Sequence, residues 1–116
     1  MTNKSKNLGT LWETEIVNYL NNTYWPHAER RTLSGVNDKG DIDLHPQVVV
    51  EAKNHGTLKL AQWLVEAEKE RLNAGADVGV VWAKRRGKAS AGDGYVVMSG
   101  EQFVGLLARA GLGGLA

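Results

Sequence analysis

Near the middle of the chain, Gly40-Asp41-Ile42-Asp43 is followed, ten residues after Asp41, by Glu51-Ala52-Lys53. Residues two apart on a strand project from the same face, so Glu51 and Lys53 are neighbours in space if this stretch is extended. The run Val48-Val49-Val50 directly before Glu51 is what a buried strand looks like. Charges beside such a run are costly unless paired or bound to a metal. Acids gathered at one strand end repel each other when ionised, and a divalent cation relieves that repulsion. Mg²⁺ suits such a set, because it binds through one or two carboxylates together with water and phosphate oxygens. The chemistry that follows is hydrolysis of a phosphodiester. The cation withdraws charge from phosphate and activates water, while Lys53 orients or helps deprotonate that water and stabilises developing negative charge. A lysine suits this task because its pKa shifts readily in a desolvated site.

A second cluster is cationic. Lys84, Arg85, Arg86 and Lys88 stand against a single acid, Asp93, between Ala83 and Gly94, whereas Glu66, Glu68 and Glu70 gather on another segment. The formal net charge is only +1, so an argument for nucleic acid rests on this local concentration. Four cations in one loop are what phosphate contacts require. Arg30 and Arg31 alternate along a short strand, so at most one of them faces DNA, and Arg31 is taken as the candidate. Gln62 is placed to touch a phosphate or a water, although a surface glutamine is the plainer reading.

The elements that position these residues follow from periodicity. Residues 8–22 place Leu8, Leu11, Trp12, Ile16, Tyr19 and Leu20 at helical spacing, and two asparagines then supply a stop. Residues 27–33 read as a short strand ending at Ser34-Gly35, and 35–40 as a polar loop. Ile42 and Leu44 alternate before a tight connection at Pro46-Gln47, giving a hairpin into 48–53. Residues 58–73 read as a helix with Leu60, Trp63 or Leu64, Ala67 and Leu72 inward and the charges outward, ended by Gly75. Residues 78–82 are a buried strand, 84–94 the basic loop and 95–98 another strand. Ser99 then looks like an N-cap, with Gln102 at the capping-box position of a last helix through Phe103, Leu106 and Leu107.

The order α-β-β-β-α-β-β-α predicts an α/β fold, a central mixed five-stranded sheet flanked by helices, in one domain over 1–116 with 1–7 and 111–116 flexible. At 116 residues, 42% hydrophobic and 23% charged, the chain has the composition of a globular protein. It lacks cysteine, which excludes disulfides, thiolate-bound metals and cysteine nucleophiles. No apolar run is long enough to span a bilayer, and residues 1–7 are polar with no apolar signal region behind them, so no membrane role and a cytoplasmic location are expected. His27, His45 and His55 are isolated and read as loop residues. Trp12, Trp63 and Trp82 lie on apolar faces and read as core rather than as a base-stacking platform.

Asp41 followed by Glu51-Ala52-Lys53 resembles the core motif of the PD-(D/E)XK nuclease superfamily, with Gly40 where proline is often found. The chain is most similar to the small Holliday-junction-resolvase branch, which includes bacteriophage members acting in a host cytoplasm. In that branch an early helix contributes a glutamate four residues after a glycine, and Gly9-Thr10-Leu11-Trp12-Glu13 has that spacing. The resemblance implies a restriction-endonuclease-like fold and a homodimer making paired nicks across a four-way DNA junction. It implies Mg²⁺, replaceable by Mn²⁺, held by Glu13, Asp41, Glu51 and the backbone carbonyl of Ala52, with Lys53 completing the catalytic set and no organic cofactor. Glu15 is the second choice for the helix acid, and Asp43 is a supporting residue. Other DNA targets (flaps, duplex ends or a restriction-type sequence) share the motif, and a non-catalytic DNA-binding module with a structural acidic cluster is the reading from a different class.

Overall fold

The computed structural model describes residues 4–31 and 38–114. Helix α1 (Lys4–Asn21) leads into β1 (Glu29–Arg30), β2 (Ile42–His45) and β3 (Val48–Lys53); α2 (Leu60–Ala74) then crosses to β4 (Val78–Ala83), and β5 (Tyr95–Val97) precedes α3 (Gly100–Arg109). The five strands form one sheet in sequence order. Neighbours are antiparallel except β3 and β4, which α2 joins in parallel. This is the expected α/β architecture with a mixed sheet. Helix α1 starts at Lys4, earlier than the apolar spacing alone suggests, because residues 4–7 contain no proline and extend a helix whose apolar face anchors it further on. Among the described residues of the expected strand at 27–33 only Glu29 and Arg30 pair in the sheet, and residues 32 and 33 together with the first half of the loop at 35–40 lie outside the described residues.

The two sheet faces are covered by different helices. On one face Trp12, Ile16 and Leu20 of α1 pack with Ile42, Val50, Val78 and Val80; on the other, Trp63 and Ala67 of α2 pack with Val81 and Ala83. The tryptophans expected in the core are there: Trp12 and Trp63 are buried, and Trp82 packs against the α1 cluster. Val50 and Ala52 face α1, so the strand alternation turns Glu51 and Lys53 toward α2. That choice of face decides the chemistry of the site.

Two expectations for the helices need correction. The inward residues of α2 are Trp63, Ala67 and Glu70, whereas Leu60 and Leu72 are exposed. Leu60 opens the helix, and Leu72 lies about 200° round from Glu70, off the stripe that meets the sheet. In α3, the Ser99 hydroxyl does accept the Gln102 N–H, at 3.2 Å, but the Gln102 side chain does not close a capping box. Its Oε1 accepts the N–H of Gly79 at 2.6 Å and its Nε2 donates to Glu68 at 3.0 Å. A buried backbone donor on β4 needs an acceptor more than the exposed helix start does. Phe103 and Leu106 are exposed, and no residue of α3 is fully buried. Among the described residues no helix is long and apolar enough to cross a membrane.

Candidate metal and nucleic-acid site

Asp41 is locked to the motif strand on both sides of Glu51. Its N–H donates to the carbonyl of Val50 at 2.8 Å, and its Oδ2 accepts the N–H of Ala52 at 2.8 Å. The preceding residue makes this approach possible. Gly40 has φ +93°, and a Cβ there would lie 2.9 Å from both Val49 Cγ1 and the Val50 carbonyl oxygen. A proline, held near φ −65°, cannot take that conformation. Burial, the nearby Glu51 carboxylate and, more weakly, Glu13 and Asp38 push the Asp41 pKa up to about 7, against the Ala52 hydrogen bond, which lowers it.

Glu51 and Lys53 are both largely buried and 3.5 Å apart. Helix α2 completes their surroundings. Lys53 Nζ lies 2.8 Å from Glu66 Oε2. Burial opposes the lysine's charge, but the Glu66 hydrogen bond together with Glu51 outweighs it and holds Lys53 above its ordinary pKa. The shift is thus upward, opposite to what a lysine acting as a base requires, and it favours a protonated Lys53 in the metal-free chain. Gln62, one turn before Glu66, donates to it at 3.4 Å and so reaches the lysine only through that acid.

Glu70, one turn beyond Glu66, is the residue that periodicity misplaces among outward charges. It is 5% exposed. One carboxylate oxygen each from Asp38, Glu51 and Glu70 lies within 4.8 Å of the others, a group able to hold a metal ion. Burial first, and then Glu51 and Asp38, raise the Glu70 pKa to about 10. Glu51 Oε2 and Glu70 Oε2 are buried without a hydrogen-bond partner. Orphaned carboxylate oxygens in an all-oxygen donor set fit a hard divalent cation, which supplies the charge these groups lack.

The helix acid of α1 is engaged elsewhere. Glu13 Oε1 accepts from Arg30 Nε at 3.0 Å, although its charge is felt at Asp41, and that of Glu15 is not among the causes there. Asp43 is exposed, 3.7 Å from Arg31, which ties Arg31 to a carboxylate beside the motif. The basic loop, in contrast, starts beside the motif: the N–H of Lys84 donates to the carbonyl of Lys53 at 2.9 Å. Lys84 Nζ donates to the Lys88 carbonyl at 3.0 Å and braces the loop. Arg85 lies over the Tyr95 ring, and Arg85, Arg86 and Lys88 are exposed. An open cavity of about 510 Å³ runs between Lys84, Arg86, Asn54, His55 and Leu8. No protein family, no curated protein and no solved structure matches the chain.

Proposed function

We propose that this protein is a divalent-cation-dependent DNA endonuclease of the PD-(D/E)XK type, acting on four-way junctions as a homodimer. The observation that carries the reading is the convergence at one sheet end: Asp41 straddles Glu51, Glu51 neighbours Lys53, and the carbonyl of Lys53 is bonded to the first residue of the basic loop. Asp41, Glu51 and the Ala52 carbonyl would hold the cation, with Glu13 near enough to add its charge. When bound, Mg²⁺ or Mn²⁺ supplies Lewis acidity toward the phosphodiester and toward the attacking water.

The chain's own groups do the rest. Lys53, kept protonated by Glu66 and Glu51, donates a hydrogen bond to a phosphate oxygen or to the incoming water and stabilises charge that develops as water adds to phosphorus. One P–O bond breaks, leaving a phosphomonoester and a hydroxyl. Arg85, Arg86 and Lys88 bind backbone phosphates and set the register of the duplex without reading its sequence. One such site per chain cuts one strand, so paired nicks need two chains. The exposed Phe103, Val104 and Leu106 of α3 offer apolar surface to the second copy.

Cleavage of a synthetic four-way junction with and without Mg²⁺ tests the reading, with flap and linear duplex at equal concentration as comparators. Mg²⁺-dependent paired nicking of the junction is expected, lost in Glu51→Ala and Lys53→Ala while both variants still bind it. Undiminished cutting by either variant sinks the assignment, and preferential cutting of linear duplex or flap replaces the junction as substrate.

A further inference from the structure

The Asp41 site leaves part of the acidic cluster unexplained. Glu70 belongs to no nuclease motif, yet it is 5% exposed and directed at Glu51 and Asp38 across the packing layer between α2 and β3. No ion pair neutralises it among the described residues. Of the lysines nearby, Lys69 forms no ion pair with it, and Lys53 is drawn to Glu66 at 2.8 Å and to Glu51 Oε1 at 3.5 Å. That leaves Glu51 Oε2 and Glu70 Oε2, each buried and each without a hydrogen-bond donor. Buried carboxylate oxygens that face nothing are costly, and a hard cation bound between them would give both a partner.

The third carboxylate is held in place by its own contacts. The carbonyl of Asp38 accepts from Asn73 Nδ2 on α2 at 3.0 Å, and its Oδ1 accepts the Gly40 N–H at 2.9 Å. Asp38 therefore reaches α2 from the segment that leads into Asp41. A cavity of about 240 Å³, lined by Asp38, Glu51, Glu66, Lys69, Glu70 and Asn73, opens beside the three acids and has room for waters that complete a coordination shell.

The structure assigns a second divalent-cation site to Asp38, Glu51 and Glu70, distinct from the Asp41 site and sharing Glu51 with it. Its all-oxygen, carboxylate-rich donor set selects Mg²⁺, Mn²⁺ or Ca²⁺ over softer metals. An ion there joins α2 to β3 and to the residues that lead into Asp41, so it clamps the segment that carries the motif. The site stands without the nuclease reading; only the count of two ions depends on it.

Titration of the full chain with MnCl₂ in the absence of DNA tests this, by calorimetry and by Mn²⁺ broadening of backbone amide signals. Two ions per chain are expected, one of them broadening the amides of Asp38, Glu70 and Asn73. Glu70→Gln and the exposed Asp38→Asn should each weaken that ion at least tenfold, while Asp41→Asn leaves it in place. An ion kept in Asp41→Asn and lost in Glu70→Gln supports this site even if the Asp41 site binds nothing. Wild-type affinity and stoichiometry in both Glu70→Gln and Asp38→Asn overturns it, as does a single ion lost equally in Asp41→Asn and Glu70→Gln. Should Glu70→Gln fail to fold, Asp38→Asn and the wild-type broadening pattern decide.

Discussion

Lys53 Nζ lies 2.8 Å from Glu66 Oε2, nearer than the 3.5 Å that separates it from Glu51. The lysine of the motif is thus set by a helix carboxylate as much as by the acid two residues before it. Glu66→Gln removes the strongest of the interactions that raise the Lys53 pKa. The alkaline limb of the cleavage pH profile should then move to lower pH, with junction affinity little changed. An unmoved limb means that Lys53 is not the group titrating there.

Asp41 gives the metal-free protein a pH dependence whose sign is fixed. Its pKa rises on folding from 3.8 to about 7, so the folded chain keeps a proton that the unfolded chain has lost over that window. The unfolded state binds fewer protons there, so the Asp41 contribution to stability falls as pH climbs from about 4 to 7 and then levels, while Glu70, raised to about 10, carries a decline to higher pH. In EDTA, thermal unfolding should come several degrees higher at pH 5 than at pH 7.5. Asp41→Asn should narrow that difference, and a variant with the wild-type profile would show that burial of Asp41 is not its source.

Gly40→Pro brings the sequence nearer the nuclease motif that it resembles and should nonetheless damage this chain. The position has φ +93° and no room for a Cβ beside Val49 and Val50. A loss of at least about 2 kcal/mol in urea unfolding is expected, and a fully stable proline variant would show that the turn can adopt another path.

Gln102 should be worth more than a surface glutamine. Removing its side chain orphans the N–H of Gly79 on the buried strand β4, a loss of about 1–3 kcal/mol. Gln102→Ala measured by urea denaturation checks this, and Gln102→Glu, which keeps the acceptor but meets Glu68, should recover only part of it.

Neutralising Arg85, Arg86 and Lys88 should weaken DNA binding uniformly across sequences. It should reduce the slope of log affinity against log salt by about 0.9 for each duplex phosphate that no longer meets a cation. An unchanged slope would place the DNA elsewhere.

The order of the elements, the hairpin at Pro46-Gln47, the terminating Gly75 and the mixed sheet were all legible in the sequence. They rest on strand and helix periods and on turn residues, which act within a few positions. The pairing of Glu51 with Lys53 was legible for the same reason, since residues two apart on a strand share a face in any fold. Glu13 shows the limit of spacing: its distance from Gly9 marks it as a candidate, but only the pairing of β1 with β2 brings Arg30 within 3.0 Å of it.

Asp38, Glu66 and Glu70 carry no local signal. On α2, periodicity sends charges outward on the assumption that the buried stripe meets an apolar surface, and at Leu60 and Leu72 it sends leucines inward by the same assumption. The sheet face that α2 covers is apolar on β4, at Val81 and Ala83, but carries Glu51 and Lys53 directly beside them on β3. Residue types and strand geometry alone determined that an acid and a lysine stand side by side on a buried strand. Which charges gather round them was decided by the tertiary structure, because the partner of a buried charge is set by whichever element packs over it.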